Sequence, residues 1–501
     1  MKTYRLVVTV AILASFVAFL DGAVVNVALP VIQTELGGGL AAQQWVVDGY
    51  LLTLGAFILV AGSLSDLFGR SRILRYGLIG FGASSLLCAI APNMTILVLG
   101  RLLQGVAGAL LVPSSLALIN DEIPKEKFGK AIGQWTAWTG ISYLIGPLLG
   151  GFFVDQLSWR YIFAINIVPI LMTLWLMRKL QADRHNAAHT HVDFKGVTAC
   201  VVGLGGLVFA FIEQARLGWS SPLLLGCLVI GLVSLGYFMW HEQRTAHPML
   251  SFTLFRNHNF SVGNLATLAV YGGLGIITFI LVLFLQQTAG YSATLSGLSL
   301  VPITLIMFSC SAYFGSLAQR FGPRLFMGLG PVTISIGLVW LAIAASTHPH
   351  YLTDILPGVL LFGIGLAATV APLTAAILSD VPKQEAGIAS AVNNAIARIA
   401  GLLAIALIGA VMSTQFSASL TRADTSQLGA AARTSLELAS EKVLEKHIPQ
   451  EIPHSEQQIL STAIDAANIA SFRTATLVTA AFVAIGGVIS LVGIRNPKTN
   501  S

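Results

Sequence analysis

Residues 62–77 read GSLSDLFGRSRILRYG, and residues 315–330 read GSLAQRFGPRLFMGLG. The two stretches match at Gly62, Ser63, Leu64, Phe68, Gly69 and Gly77 of the first copy. The same offset of 253 residues carries an apolar run beginning near residue 6 onto one beginning near 258. A shorter echo pairs LLQG (102–105) with LLFG (360–363). In the first copy Gly62 and Gly69 bound a tight turn between apolar runs, where a Cβ would obstruct close packing. The chain therefore reads as two related halves, 1–190 and 246–501, flanking an inserted segment at 191–245. Parallel halves of this kind are a transporter pattern, with the substrate site near the bilayer midplane between them.

Composition agrees with that architecture. Of 501 residues, 55% are hydrophobic and only 10% are charged, whereas a soluble protein carries about 25% charged residues. The apolar residues fall in blocks of about twenty or more, the length a helix needs to cross a bilayer. The fold class is an all-α polytopic membrane protein. Fourteen spans are expected, six in each half and a pair, spans 7 and 8, in the insert. They lie near 6–32, 45–64, 72–91, 95–119, 129–154, 160–178, 195–213 and 222–240, then 258–286, 293–318, 324–344, 352–378, 385–413 and 470–493. The first run is too long for a secretory signal and has no small-residue cleavage site, so it reads as a retained span. The four cysteines lie in apolar blocks without CxxC spacing, which argues against a disulfide framework or a metal site.

Orientation follows from the basic residues. With both termini inside, the inner segments hold most of them, including Lys2, Arg5, Arg70, Arg72, Arg75, Lys125, Lys127, Lys130, Arg178 and Lys179. The short outer loops keep only Arg160 and Arg216. This bias makes the termini cytoplasmic. The one long connection, 414–469, then lies outside, and AARTSLELASEKVLEKH (431–447) within it reads as a short surface helix.

Ionisable groups inside a span are expensive and mark function by default. Asp21, in FLDGAVVNVALP (19–30), lies deepest, about 15 residues or 22 Å from the inner end of its span at 1.5 Å per residue. Arg101 enters about 9 Å down the fourth span from the outside, so both fall in the outer part of the same half. Two readings stand on sequence alone: a permanent ion pair that fixes packing, or a carboxyl balanced between a stabilising cation and apolar burial that exchanges a proton. Asp48 lies near the outer end of span 2 and is a second proton candidate or a vestibule charge. Glu213 sits near the outer end of span 7, within reach of interfacial water. Arg398 is either a packing anchor or a cavity residue. Asn26, Gln104, Asn393 and Asn394 offer cavity hydrogen bonds or interhelical glue. Trp135, Trp138, Tyr143 and Tyr271 offer stacking surface to flat or cationic ligands or simply pack helices. In the fifth span, Gly146 and Gly150 share a face for close approach, and Pro147 removes a donor and bends the helix.

Taken together, GSLSDLFGRSR (62–72), LGRLLQGVAGALLVP (99–113), GISYLIGPLLGG (140–151), LDGAVVNVALP (20–30) and QQWVVDGYLL (43–52) resemble the ordered motifs of the major facilitator superfamily, in its fourteen-span drug:proton antiporter branch. The resemblance covers essentially the whole chain. It implies alternating-access export of amphipathic, cationic compounds in exchange for protons, or of an endogenous lipid, metabolite or siderophore. Proton coupling would fall to Asp21 with Arg101, and secondarily to Asp48. Gly62, Asp66, Gly69 and Arg70 would form a loop that locks the halves on the cytoplasmic side. The second copy has Gln319 in place of the acid, so no equivalent lock is expected there. Gly140, Gly146, Pro147, Gly150 and Gly151 would form the antiporter hinge or seal. The resemblance also implies a bacterial cytoplasmic (inner) membrane, lipid contact, a monomer, and neither nucleic acid nor cofactor. No nucleotide loop, metal cluster or nucleophile–base pairing appears, which weighs against an enzyme or an ATP-driven pump.

Overall fold

The computed structural model describes residues 2–180, 193–245, 248–250, 252–379, 381, 386–422, 428–429, 432, 443 and 453–496. These are helical nearly throughout. The first set of helices is α1 (Lys2–Leu36), α2 (Gly39–Phe68), α3 (Arg70–Ala89), α4 (Met94–Glu122), α5 (Lys125–Gln156), and the broken pair α6 (Tyr161–Ala164) and α7 (Ile167–Met177). Two helices follow, α8 (Phe194–Leu217) and α9 (Pro222–Glu242). The last set is α10 (His258–Leu283), α11 (Ala293–Phe321), α12 (Pro323–Ala344), α13 (Leu356–Ser379), α14 (Ala386–Thr421) and α15 (His454–Gly493). Eleven helical segments among the described residues are long and apolar enough to cross a membrane, and Tyr161–Met177 is a shorter apolar one. The predicted surface helix at 431–447 lies almost entirely outside the described residues.

Local chemistry sets the boundaries. The Asn93 side chain accepts from the Ile96 N–H at 2.9 Å, and Ser292 accepts from Leu295 at 3.2 Å, starting α4 and α11. Pro222 and Pro323 open α9 and α12, where no N–H is needed. The repeated turn is one geometry used twice. Gly69 (φ 94°, ψ 133°) separates α2 from α3, and Gly322 (φ 86°, ψ 149°) separates α11 from α12. A side chain is strained in that backbone region, which is why both copies keep glycine there.

Within each set the helices pack closely. α1 lies on α5, α4 and α7, while α4 lies on α2 and α3. In the last set α12 lies on α13 and α15, and α10 on α14 and α15. Small residues permit these approaches: a Cβ on Gly330 would stand 2.1 Å from the Thr369 hydroxyl oxygen. The pair α8–α9 docks through α8 on both α2 and α14, so it touches each set.

The two sets meet where α5 packs on α11 and α2 on α14. One end of that junction is tied by polar contacts. Asp155 at the end of α5 accepts from the N–H groups of Ala293 (3.1 Å) and Thr294 (2.9 Å), capping α11. Gln286 donates to the Val27 carbonyl at 2.9 Å, and Gln44 to that of Ile405 at 2.7 Å. Gln33 accepts from Gln287 at 2.8 Å and also from Gln43. Midway along the helices the facing surfaces part: Gly22 and Gly140 have nothing within 4 Å of a Cβ position, and Tyr143 is 42% exposed.

Candidate functional site

The deepest predicted acid sits in a closed network inside the first set. Asp21 is fully buried, and one of its oxygens accepts from Arg101 at 2.6 Å. Its other oxygen accepts from the amides of Gln104 (2.8 Å) and Asn166 (3.0 Å). Arg101 in turn donates to Gln104 Oε1 at 2.7 Å and to the Val46 carbonyl at 2.9 Å. Its guanidinium stacks 4.4 Å from the Tyr50 ring centroid and 5.7 Å from that of Phe163. The Ser85 hydroxyl accepts from Gln104 at 2.9 Å and from Asn166 at 3.3 Å. Four helices (α1, α3, α4 and α2 through Val46) and the α6–α7 break thus converge on one carboxylate. All three polar groups bonded to Asp21 are donors, a set that suits the ionised form.

The structure brings Asp21 and Arg101 together, and it separates two readings of one residue. Gln104, expected as a cavity residue or as interhelical glue, is fully buried in this network. Ser85 and Asn166 were not anticipated. The signal for Gln104 was available, because Arg101 and Gln104 are three apart and share a helical face. Asn166 stands alone among apolar neighbours in YIFAINIVPI (161–170), a weaker sign of the same kind.

Asp48 is treated differently. It is fully buried in α2, and neither carboxylate oxygen has a hydrogen-bond partner among the described residues. One turn away, Gln44 reaches α14, and Trp45 donates to Glu213 of α8 at 3.0 Å. Asp48 therefore lies on the α2 face that meets the other set and the inserted pair. Glu213, expected to reach interfacial water, is instead largely covered and also accepts from Arg216 at 2.9 Å.

The junction itself is lined by aromatic side chains. The Phe19 ring centroid is 5.7 Å from that of Tyr143 and 6.3 Å from that of Trp135. From the opposite set, the Arg398 guanidinium lies 5.6 Å from the Phe19 centroid, with Tyr143, Tyr50 and Tyr271 as its electrostatic neighbours. Trp135 is tied by a 3.0 Å bond to Ser15, and Trp138 is exposed. Asn26 is half-buried on α1, one turn from exposed Gly22. Asn393 donates to Asn264 (3.0 Å) and Thr267 (2.7 Å), joining α14 to α10. Asn394 is exposed and returns to the Ser390 carbonyl at 3.0 Å.

The glycine-rich fifth helix seals two contacts at once. A Cβ on Gly146 would stand 2.6 Å from the Ala23 Cβ, and one on Gly150 2.9 Å from the Val24 carbonyl oxygen. Gly151 faces α11 instead, where a Cβ would stand 2.4 Å from Thr294 Cα, and a Cβ on Gly297 would stand 2.5 Å from the Pro147 carbonyl oxygen. Gly140 makes no such approach, so only four of the five motif positions sit at a packed surface. In the repeated turn, Arg70 pairs with Asp121 and donates to the Ala117 carbonyl at 2.9 Å, both at the end of α4. The side chain of Asp66 and the surroundings of Gly62 lie outside the described part.

Comparison with known proteins agrees with this arrangement. Residues 11–405 match the model of the Major Facilitator Superfamily. The multidrug resistance protein Stp of Mycobacterium tuberculosis is 34% identical over 426 residues, covering 84% of this chain and 78% of that protein. The puromycin resistance protein pur8 of Streptomyces alboniger is 34% identical over 418 residues, covering 82% of each. Among solved structures, a D-xylose–proton symporter superposes over 99% of this chain and 98% of its own, with a TM-score of 0.63 at 14% identity. That last likeness concerns the fold alone. Fold, family and relatives make this a transporter rather than an enzyme, in an integral membrane setting. The chain belongs to the Major Facilitator Superfamily and is similar to its multidrug and antibiotic resistance members.

Proposed function

We propose that this chain is a secondary active exporter of amphipathic compounds, exchanging substrate for protons by alternating access. The fourteen predicted spans would all cross a bacterial cytoplasmic membrane, with both termini inside. Residues 1–190 and 246–501 would move as halves, with 191–245 as an inserted pair. On that orientation the polar ties around Gln33, Gln44 and Asp155 close the outer end, and the conformation faces inward.

The observation that carries the proposal is the Asp21 network. One carboxylate receives three donors from α4 and the α6–α7 break, all in a water-poor interior. Protonation would cancel its charge, weaken all three bonds and leave Arg101 without its counter-ion. A proton is then bound in one arrangement of α1 against α4 and α7 and released in another, which is the linkage an antiporter requires. Asp48 is a second site for the same exchange. Gly146, Gly150 and Gly151 would let α5 slide between α1 and α11 as the outer end opens, while the Arg70 turn would lock the inner end in the opposite state.

The family resemblance implied a cationic substrate, with which an acid in the first span would be compatible. Asp21 has no exposed surface in this conformation, so it offers no such attraction. Proteoliposomes with an imposed pH gradient test the exchange. The proposal expects substrate to move against the proton gradient in wild type and not in Asp21→Asn. Movement of substrate along with protons would contradict it.

A further inference from the structure

Two arginines lie within the apolar helices on the facing or inner surfaces of the first set and α14, and they have unlike surroundings. Arg101 is fully buried and has a carboxylate, an amide oxygen and a carbonyl to receive its donors. Arg398 is half-buried at the junction of the two sets. The hydroxyls of Tyr143, Tyr50 and Tyr271 are near enough to act on it electrostatically. Its remaining near neighbour is the Phe19 ring face, 5.6 Å away. No described carboxylate pairs with it: Arg70, Arg101, Arg160, Arg216 and His241 hold the described ion pairs.

The acids that could balance it are turned away. Asp21 spends both oxygens on Arg101, Gln104 and Asn166. Asp48 is enclosed in α2 with no exposed surface. The space beside Gly22 and Tyr143 is therefore bordered by aromatic rings and a guanidinium, with no acidic side chain among the described residues. A guanidinium has five N–H donors in a planar fork, and the surrounding hydroxyls accept only part of that capacity. A cation entering here would meet a like charge, and the Phe19 face that could hold it is already beside Arg398. A carboxylate, sulfonate or phenolate would instead complete the fork through charge-assisted, bidentate bonds.

We infer that the chamber selects amphipathic aromatic compounds bearing an acidic oxygen group, which Arg398 holds while the ring system lies against Tyr143 and Tyr271. The inference rests on the exporter reading and reverses the charge preference expected from sequence.

The test compares two naphthalene probes of equal size, one carrying a sulfonate and the other a trimethylammonium group. Binding to the full chain in lipid nanodiscs is followed by fluorescence anisotropy. Wild type is expected to favour the sulfonate by at least about tenfold, the scale of one charge-assisted contact. Arg398→Gln should abolish that preference, and Arg398→Lys should keep part of it. The ratio is taken within each sample, so a smaller folded fraction affects both probes equally. Should Arg398→Gln not fold, the wild-type ratio carries the test. Equal or tighter binding of the cation by wild type, or an unchanged ratio in Arg398→Gln, overturns the inference. Proton-driven export of the cationic probe would overturn it while sparing the exporter reading. Export of neither probe, with the sulfonate preference intact, would count against export and not against the chamber.

Discussion

Two carboxyl groups are buried in the first set of helices, and the chain surrounds them in opposite ways. Asp21 has three donors within hydrogen-bond reach, one of them the Arg101 cation. Among the described residues, Asp48 has no hydrogen-bond partner for either oxygen. An unpaired buried carboxylate costs several kcal/mol or more, so the packing around Asp48 accommodates the neutral acid, whereas that around Asp21 accommodates the anion. Their positions differ in the same sense. The Asp21 network is internal to one set, while Asp48 faces α14 and the inserted pair. One conformation thus holds one acid prepared for charge and another prepared for a proton.

The contrast can be broken by removing partners. Arg101→Ala should have the largest effect, because it strands Asp21 as a buried charge, a loss of about 3–5 kcal/mol. It would be read as a lower thermal midpoint in detergent, with the double variant Arg101→Met/Asp21→Asn recovering much of the folding and none of the proton coupling. Gly146→Val comes next. Its side chain would collide with Ala23 on the helix that carries Asp21, and overpacking of that kind costs about 1–3 kcal/mol. Transport should be lost while membrane insertion, measured by fractionation, is retained. Asn166→Leu removes one donor from Asp21 and should cost about 1–2 kcal/mol. Asp48→Asn should cost less than about 1 kcal/mol, since no bond is broken. A penalty there equal to that of Arg101→Ala would erase the distinction between the two acids.

The smallest effect concerns the start of α8. Burial alone would raise the Asp193 carboxyl, but the Gly196 N–H and the His241 ring outweigh it and hold the pKa below the usual value. A group with a lower pKa folded than unfolded stabilises the fold above the ordinary carboxylate range, near about pH 4. That contribution disappears as pH falls through the folded value. Asp193→Asn should therefore lower the thermal midpoint at neutral pH, with the gap closing on acidification.

Much of the architecture is legible in the chain because it is periodic. The paired turns at Gly69 and Gly322 repeat in sequence and in backbone angle, and the predicted spans fall on helical segments, the sixth on the broken α6–α7 pair. Counting along α1 and α4 was enough to set Asp21 and Arg101 at one level. The remainder of the site depends on how helices rotate about their axes, which hydropathy does not encode when a helix is apolar on every side. Hence Ser85 and Asn166 went unseen, and cavity and interhelical readings of Gln104 could not be separated. Asn393 shows the same ambiguity, since a polar residue between helices serves equally as glue or as cavity wall until its partners are known.

The central claim is that Asp21 releases the proton that substrate displaces. It is tested most directly by adding a transported compound to the purified protein in weakly buffered detergent and recording proton release. Wild type should release protons on binding, Asp48→Asn should retain most of that signal, and Asp21→Asn should lose most of it. Undiminished release from Asp21→Asn would contradict the account.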